Sequence, residues 1–344
     1  MRTKADKLRN SVFRAILRGD YGPGDRIPTE REMATVTGLG RVTVRRAYAR
    51  LEEAGILTRT QGRGTHIATV SRGHAGTCDF VALLSSVRTS FGVASVKAFE
   101  TAVSASDALL VLKLSEDDPA TEEALAIDLV GRGIRNLIVW PSCQEYASGT
   151  FERLRILGTN MVFFDRALPG SYADYVGLDN DDALAVLVDW ATSHGGDAIV
   201  FVSHDGPVAD SDCQRRDACR REAERRGVGF SELCIPLSER TEAAPVLRQY
   251  VRHVEAGRAP ALVCVNDAVA LVVKESVPAG TPVLGIDGSN AAFRAGIPSY
   301  AQPMAEMAGR AVSLLAQQRK KAEKWQAQRV YCKGRLRESG SNTL

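Results

Sequence analysis

Residues 25–68, DRIPTEREMATVTGLGRVTVRRAYARLEEAGILTRTQGRGTHIA, decide how the chain is read. Thr29 followed three residues later by Glu32 is a capping box, so a short helix is predicted to begin there. The TGLG at 37–40 breaks that helix, because two glycines permit a tight reversal. From Arg41 the apolar residues Val44, Ala47, Tyr48 and Leu51 recur at helical spacing and bury one face of a second helix. Its other face carries Arg41, Arg45 and Arg46 with Val42 and Thr43, and is basic and exposed. Gly55 closes this helix. Residues 56–68 then read as two short strands around a glycine turn with Arg63 at the tip. Helix, turn, basic helix and basic hairpin in this order are the layout of a winged helix-turn-helix.

Upstream, residues 4–18 place Leu8, Val12, Ala15 and Ile16 on one helical face, a first helix for the same small domain. Downstream, TVSRGHAG at 69–76 has turn residues and no apolar periodicity, so it reads as a linker. The division expected is 1–70 for the winged domain, 71–77 for the linker and 78–344 for the rest. Charge follows that division. The net +3 of the 344 residues conceals 14 Lys and Arg against 7 Asp and Glu in residues 1–70, with 30 against 34 in the remainder. A basic module on a mildly acidic body points to a polyanionic partner for the first part alone.

From residue 78 short apolar runs alternate with helical stretches. Strands are predicted over 80–84, 109–112, 137–140, 161–164, 198–202, 262–265 and 283–286. Helices are predicted over 93–104, 121–132, 182–193, 213–226, 243–256 and 266–274. Such alternation produces parallel sheets covered on both faces, and the stretch is long for one sheet, so two lobes are expected. The fold class is therefore α/β behind an N-terminal winged helix-turn-helix.

Seven scattered cysteines without a C-x-x-C read as small buried hydrophobes in a reducing compartment. No apolar run approaches the length of a membrane span, and residues 1–18 lack the apolar core of a signal peptide, so a cytoplasmic location and no membrane partner are expected. Catalysis has little support: G-x-S-x-G, Walker A and H-E-x-x-H are absent, and the five His show no ligand spacing. The acidic pairs and runs at 117–118 and 179–182 fit loop and helix N-terminal positions, where carboxylates oppose the dipole. Neither a cofactor nor a metal is expected.

The blocks PGDRIPTEREM, GRVTVRRAYARLEEAGILTR and GRGTHIA resemble the DNA-binding domain of GntR-family bacterial regulators, in order and at the family's spacing over residues 4–69. Gly40 stands where that family usually has Ser, and His66 where the wing usually has Phe. LVGRGIRNLIVWPS, MVFFDRALPGSYADYVGLDNDDA, SHGGDAIVFVS, SDCQRRDACRREAERRG, ALVCVNDAVAL, TPVLGIDGSN and IPSYAQPMAEMAGRAVSLL resemble, again in order, the effector-binding domain of LacI-type repressors, related to type I periplasmic sugar-binding proteins. Together the two parts resemble the arabinose-repressor subgroup.

Arg41 and Arg45 lie one turn apart on the recognition helix, so their planar donor forks suit guanine O6 and N7 in a major groove. Val42 and Thr43 suit a thymine methyl or a phosphate. Arg31 matches a family position that contacts backbone or base. Lys4, Gln61, Arg63 and the flanking Gly62 and Gly64 are placed to meet phosphates or a minor groove. A solvated basic face is the competing explanation for any one of these arginines.

For a small ligand, Asp165, Arg215, Asn266, Asp267 and Asp287 fall at strand carboxyl ends or at the starts of the following helices, where open α/β sheets bind ligands. The resemblance singles out Arg215 and Asp287. A polyol needs charged acceptors, a bidentate donor and an apolar surface beneath its ring; Phe91 and Trp140 are candidates for that surface, and Gln302 lies on a crossover between lobes. Loop capping competes for Asn266 and Asp287, and a core position competes for Trp140. The function these readings imply is a cytoplasmic homodimeric regulator, a repressor, holding a pseudo-palindromic double-stranded operator under control of a carbohydrate effector. A sugar-binding carrier and an enzyme fused to a DNA-binding domain are the rivals.

Overall fold

The structure, a computed structural model, describes residues 3–18, 20–22, 24–60, 62–68, 80–85, 90–142, 149–168, 170, 172–205, 209–236, 247, 260–320 and 325–338. The linker expected at 71–77 and nearly all of the helix expected at 243–256 lie outside the described residues.

The winged domain is built from α1 (Lys4–Arg18), α2 (Glu30–Thr37), α3 (Arg41–Glu53), β1 (Leu57–Thr60) and β2 (Gly64–Ile67). The capping box forms at the predicted place: the Thr29 hydroxyl accepts from the Glu32 amide at 3.2 Å, and the Glu32 carboxylate accepts from the Thr29 amide at 2.7 Å. Gly38 ends α2 in the left-handed region, at φ 67°. Val44, Ala47, Tyr48 and Leu51 are all buried, and the Tyr48 hydroxyl donates to the Pro28 carbonyl at 2.7 Å. That bond offsets the cost of burying a phenol. Gly40 occupies the N-cap of α3 with no side chain to cap it. The wing gains a third strand position, because Arg26 bridges to His66.

Two lobes follow. The first holds β3 (Phe80–Ser85), α4 (Ser90–Ser104), β4 (Leu109–Leu114), α5 (Pro119–Gly131), β5 (Asn136–Val139), α6 (Thr150–Ile156), β6 (Asn160–Phe164) and β7 (Asp174–Leu178). The second holds α7 (Asn180–Ser193), β8 (Ala198–His204), α8 (Asp210–Arg226), β9 (Gly229–Ile235), β10 (Ala261–Cys264), α9 (Asp267–Ser276), β11 (Val283–Asp287), α10 (Asn290–Arg294) and β12 (Ser299–Ala301). The chain then returns to the first lobe as α11 (Met304–Lys320) and β13 (Arg329–Cys332), and ends in the second as β14 (Arg335–Arg337).

The first sheet has the order β13-β7-β6-β5-β3-β4 and is parallel throughout. The second, β14-β12-β11-β10-β8-β9, is parallel except at β14, which runs antiparallel to β12. Central strands such as β6 and β10 are buried along their whole length, as a sheet covered on both faces demands. Helix α11 is fastened to the first lobe by Gln318. Its side chain accepts from the Met161 amide at 2.9 Å and donates to the Met161 carbonyl at 2.7 Å and to Asp174 at 2.6 Å. Three crossovers, after β7, after β12 and between β13 and β14, therefore join the lobes.

Candidate functional site

At the winged domain, Arg41, Val42, Arg45 and Arg46 are exposed and Thr43 is half-buried. Val42 is 64% exposed, an apolar side chain held in solvent on the face opposite the domain core. Arg45 is not a free fork: its Nε meets Glu30 at 3.1 Å. The second Glu30 oxygen takes Arg59 from β1, also at 3.1 Å. One carboxylate at the start of α2 thus gathers an arginine from α3 and one from β1. Lys4, Arg31, Gly62 and Arg63 are exposed and Gly64 is half-buried, while Gln61 is outside the described residues. Gly62 and Gly64 both take left-handed backbone, φ 79° and 93°, which the wing turn requires. Glu30 and Arg59 were not singled out in the sequence. Glu30 had the look of an ordinary first-turn acid, and only the packing of α2 against α3 reveals its second use.

The cleft between the lobes is formed by strand carboxyl ends. From the first lobe come Trp140 after β5 and Asp165 with Arg166 after β6. From the second come Asn180 at the start of α7, Arg215 on α8, Asp287 at the end of β11 and Gln302 on a crossover. Arg215 is almost wholly buried. It donates from Nη1 to the Val265 carbonyl at 2.9 Å and from Nε to Asn180 Oδ1 at 3.2 Å. Its Nη2 reaches across the lobes to within 3.7 Å of Asp165 Oδ1. The Gln302 amide donates to Asp287 Oδ1 at 2.9 Å. Asp165 Oδ1 and Gln302 Oε1 are buried acceptors with no hydrogen-bond donor among the described residues. Unsatisfied buried acceptors in a cleft call for donors from outside the chain.

Backbone and charge are both unusual here. Asp165 has φ 60° and Asp287 has φ 132°, left-handed values that cost strain for a residue with a Cβ. Burial pushes the Asp287 carboxyl up to about 8, helped by the negative charge of Asp267 and opposed by Arg215 and Gln302. Burial likewise raises Asp267, against hydrogen bonds from Ser299 and Ser289.

The remaining candidates divide. Asn266 caps α9, accepting from the Val269 amide at 2.9 Å. Asp267 accepts from the Ser299 hydroxyl at 2.6 Å and from the Ser289 amide at 2.7 Å, so both its oxygens serve the loops that carry Asp287. Trp140 is 9% exposed, edge-on to Phe164 at 5.7 Å, with the Arg166 guanidinium 5.9 Å from its ring centroid. Phe91 lies in α4, and its side chain is outside the described residues. Asn180 and Arg166 were not anticipated. Asn180 sits in an acidic run that satisfies a helix-start reading completely, which hid its second partner. Among the described residues no group of His, Cys, Asp and Glu could hold a metal, and no helix is long and apolar enough to cross a membrane.

Residues 4–67 match the model of the family described as bacterial regulatory proteins, gntR family. The HTH-type transcriptional regulator GgaR of Escherichia coli K12 is 39% identical over 64 residues, which span 19% of this chain and only 26% of that protein. The arabinose metabolism transcriptional repressor of Geobacillus stearothermophilus is 22% identical over 326 residues, covering 90% of each chain. Among solved structures, a periplasmic ribose ABC transporter protein from Conexibacter woesei superposes with a TM-score of 0.67 at 17% identity, over 78% of this chain and 94% of that one. A LacI transcriptional regulator from a Rhodococcus species does so at 0.63 and 17%, over 76% and 97%. Residues 4–67 are thus similar to the DNA-binding part of the gntR family of bacterial regulatory proteins, and the rest of the chain has the two-lobed fold seen in LacI-type regulators and periplasmic binding proteins.

Proposed function

We propose that the protein is a transcriptional repressor that releases its operator when a carbohydrate binds between the two lobes. In this reading residues 1–70 bind DNA, 71–77 link, and 78–344 sense the effector and hold a cytoplasmic homodimer on a pseudo-palindromic site. The observation that carries it is the pairing of an exposed basic recognition helix with a cleft in which buried Arg215 faces Asp165 from the other lobe. A ligand hydroxyl donating to Asp165 Oδ1 and accepting from Arg215 takes a place in that pair and changes the separation of the lobes. Ligand then acts through its differential affinity for two lobe arrangements, and that difference sets the size of the switch.

The relatives support the class of effector: the full-length match is an arabinose-metabolism repressor, and one similar structure is a ribose transporter protein. In the DNA-reading surface, Arg41 and Arg45 contact bases, Val42 and Thr43 a thymine methyl or phosphate, and Lys4, Arg31, Gln61, Gly62, Arg63 and Gly64 the backbone. In the cleft, Asp165, Arg215, Asp287 and Gln302 hold hydroxyls over Trp140 and Phe91, with Asn266 and Asp267 supporting the loops. The polar groups of the cleft serve binding, and the protein is not an enzyme.

Fluorescence anisotropy tests this directly. Labelled DNA from the gene's own upstream region is titrated at fixed salt, since phosphate contacts make affinity salt-dependent, with and without a panel of pentoses, hexoses and sugar acids. Tight binding released by one sugar is the expected result. Arg215→Ala then retains specific DNA binding and no longer responds to that sugar. Absence of specific DNA binding overturns the proposal. DNA binding that no compound on the panel changes removes the carbohydrate from it.

A further inference from the structure

Helix α1 packs on two bodies at once: on α3 within the winged domain, and on α5 and α6 of the first lobe. Leu8, Val12 and Ile16 recur at helical spacing on the face turned to α3, and all are buried. Arg9 and Phe13, also one turn apart, form a second stripe about 100° around the helix from Val12. Phe13 is only 1% exposed and Arg9 is half-buried. The first lobe contributes to that burial. The Phe13 ring carbons Cδ1 and Cε1 are 3.7 and 3.9 Å from the point where a Cβ on Gly131 would stand, at the end of α5. Burial lowers the basicity of Arg9; Asp6 of its own helix and Asp128 of α5 oppose this, and Arg132, just past the end of α5, and Arg50 add to it. Helix α1 also packs against α6. One hydrophobic cluster runs without a break from Leu8, Val12 and Phe13 to Leu129, Val130, Leu154 and Leu157.

Gly131 is the last residue of α5 and has no positive φ, so no left-handed turn requires glycine there. A Cβ at this position would meet the Phe13 ring at ordinary van der Waals distance, so the ring from the other domain is seated at packing distance on the end of α5.

We propose that this seam, Phe13 and Arg9 of α1 on Asp128 and Gly131 of α5 and on Arg132 just after it, is the contact through which the cleft controls the DNA-reading surface. The winged domain is carried as an attachment of the first lobe. When the lobes rotate about their crossovers, α3 moves with the lobe that holds Asp165. The peptide connection between the domains then need not transmit force. The inference rests on the sensing role proposed for the cleft, and its test separates the two.

The test is a set of cycles read by affinity for labelled upstream DNA at fixed salt, using the full-length protein. Asp165→Asn perturbs the cross-lobe pair without any ligand. It is introduced into the wild type, into Phe13→Ser and into Gly131→Glu, two seam variants in different domains, so that a folding failure of one leaves the other. Coupling of the usual size makes Asp165→Asn shift the wild-type affinity by about fivefold or more, and the shift falls below about twofold in both seam variants. The same shift in all three backgrounds overturns the proposal. No shift in the wild type counts against the sensing reading instead. The radius of gyration from solution scattering then decides the seam by itself: an increase in both seam variants supports docking, and an unchanged value overturns it.

Discussion

Arg215 Nη2 and Asp165 Oδ1 stand 3.7 Å apart, each on a different lobe and each almost fully buried. The separation is too long for a hydrogen bond but close enough for a strong Coulomb attraction where little water intervenes. A buried pair contributes little net stability, yet removing one partner leaves the other charge stranded. Arg215→Ala is therefore expected to destabilise the protein by about 3 kcal/mol, and adding Asp165→Asn to recover part of that loss. Urea unfolding of the wild type, both single variants and the double variant measures the coupling. Additive losses would show that the two groups do not sense one another.

Asp287 supplies a pH signature. Its carboxyl is raised to about 8 by burial and by Asp267. In the unfolded chain it titrates near the usual 3.9, so between about pH 4 and 8 the folded state holds the extra proton. The stability linked to this proton is complete below pH 4 and is lost as pH rises towards 8, with a slope of at most about 1.4 kcal/mol per pH unit. Asp287→Asn should flatten that slope and leave the protein more stable than the wild type at pH 8. Thermal melts at pH 5, 6.5 and 8 check it; parallel curves for the two proteins would refute it.

Glu30 holds Arg45 of α3 and Arg59 of β1 together. Glu30→Gln removes a negative charge beside the proposed DNA-reading face, releases Arg45 from its ion pair and leaves Arg59 only the longer pair with Glu52, at 3.9 Å. Affinity for unrelated DNA should rise, and the ratio of specific to unrelated affinity should fall by about tenfold, the scale of one well-placed bidentate base contact. Competition binding at two salt concentrations gives both quantities. A preserved ratio would mean that Arg45 reads no base.

Gly40 leaves α3 uncapped, with φ −64° and no heavy atom within 4 Å of a prospective Cβ. Gly40→Ser fits that space and offers an oxygen to the open amides of the first turn. A gain of a few tenths of a kcal/mol is expected, since glycine is itself a tolerable N-cap. Tighter DNA binding without any gain in stability would assign the hydroxyl to phosphate instead.

The winged domain was legible almost residue by residue, because its signals are local. A capping box, a two-glycine turn and a helix with four apolar residues on one face all act over a few residues. The lobes were legible as strands and helices only where the runs are strongly apolar. Strand β7, DYVGL, was missed because it opens with an acid. Asp174 is nonetheless fully buried and satisfied by Gln318, Trp325 and the Gln328 amide, all about 150 residues away in sequence. Nothing near residue 174 announces those partners. The antiparallel edge strand β14 was missed for a similar reason: at three residues it is too short to show a period. In the cleft, Arg215, Asp165, Asp287 and Gln302 do converge. The engagement of Asp267 with Ser289 and Ser299, and of Arg45 with Glu30, depends on tertiary packing that no spacing encodes.

The interleaved order of the two sheets bears on how the protein is made. Each lobe is assembled from two separated pieces of chain, and β13 and β14, the strands that close one edge of each sheet, come last. A ribosome that has delivered residues 80–178 has supplied only part of the first lobe, with β7 unpaired on one side and the face later covered by α11 bare. Neither lobe can reach its final form before the other has been synthesised. An exposed sheet edge during that interval is where a nascent chain of this design is vulnerable to sticking to its neighbours.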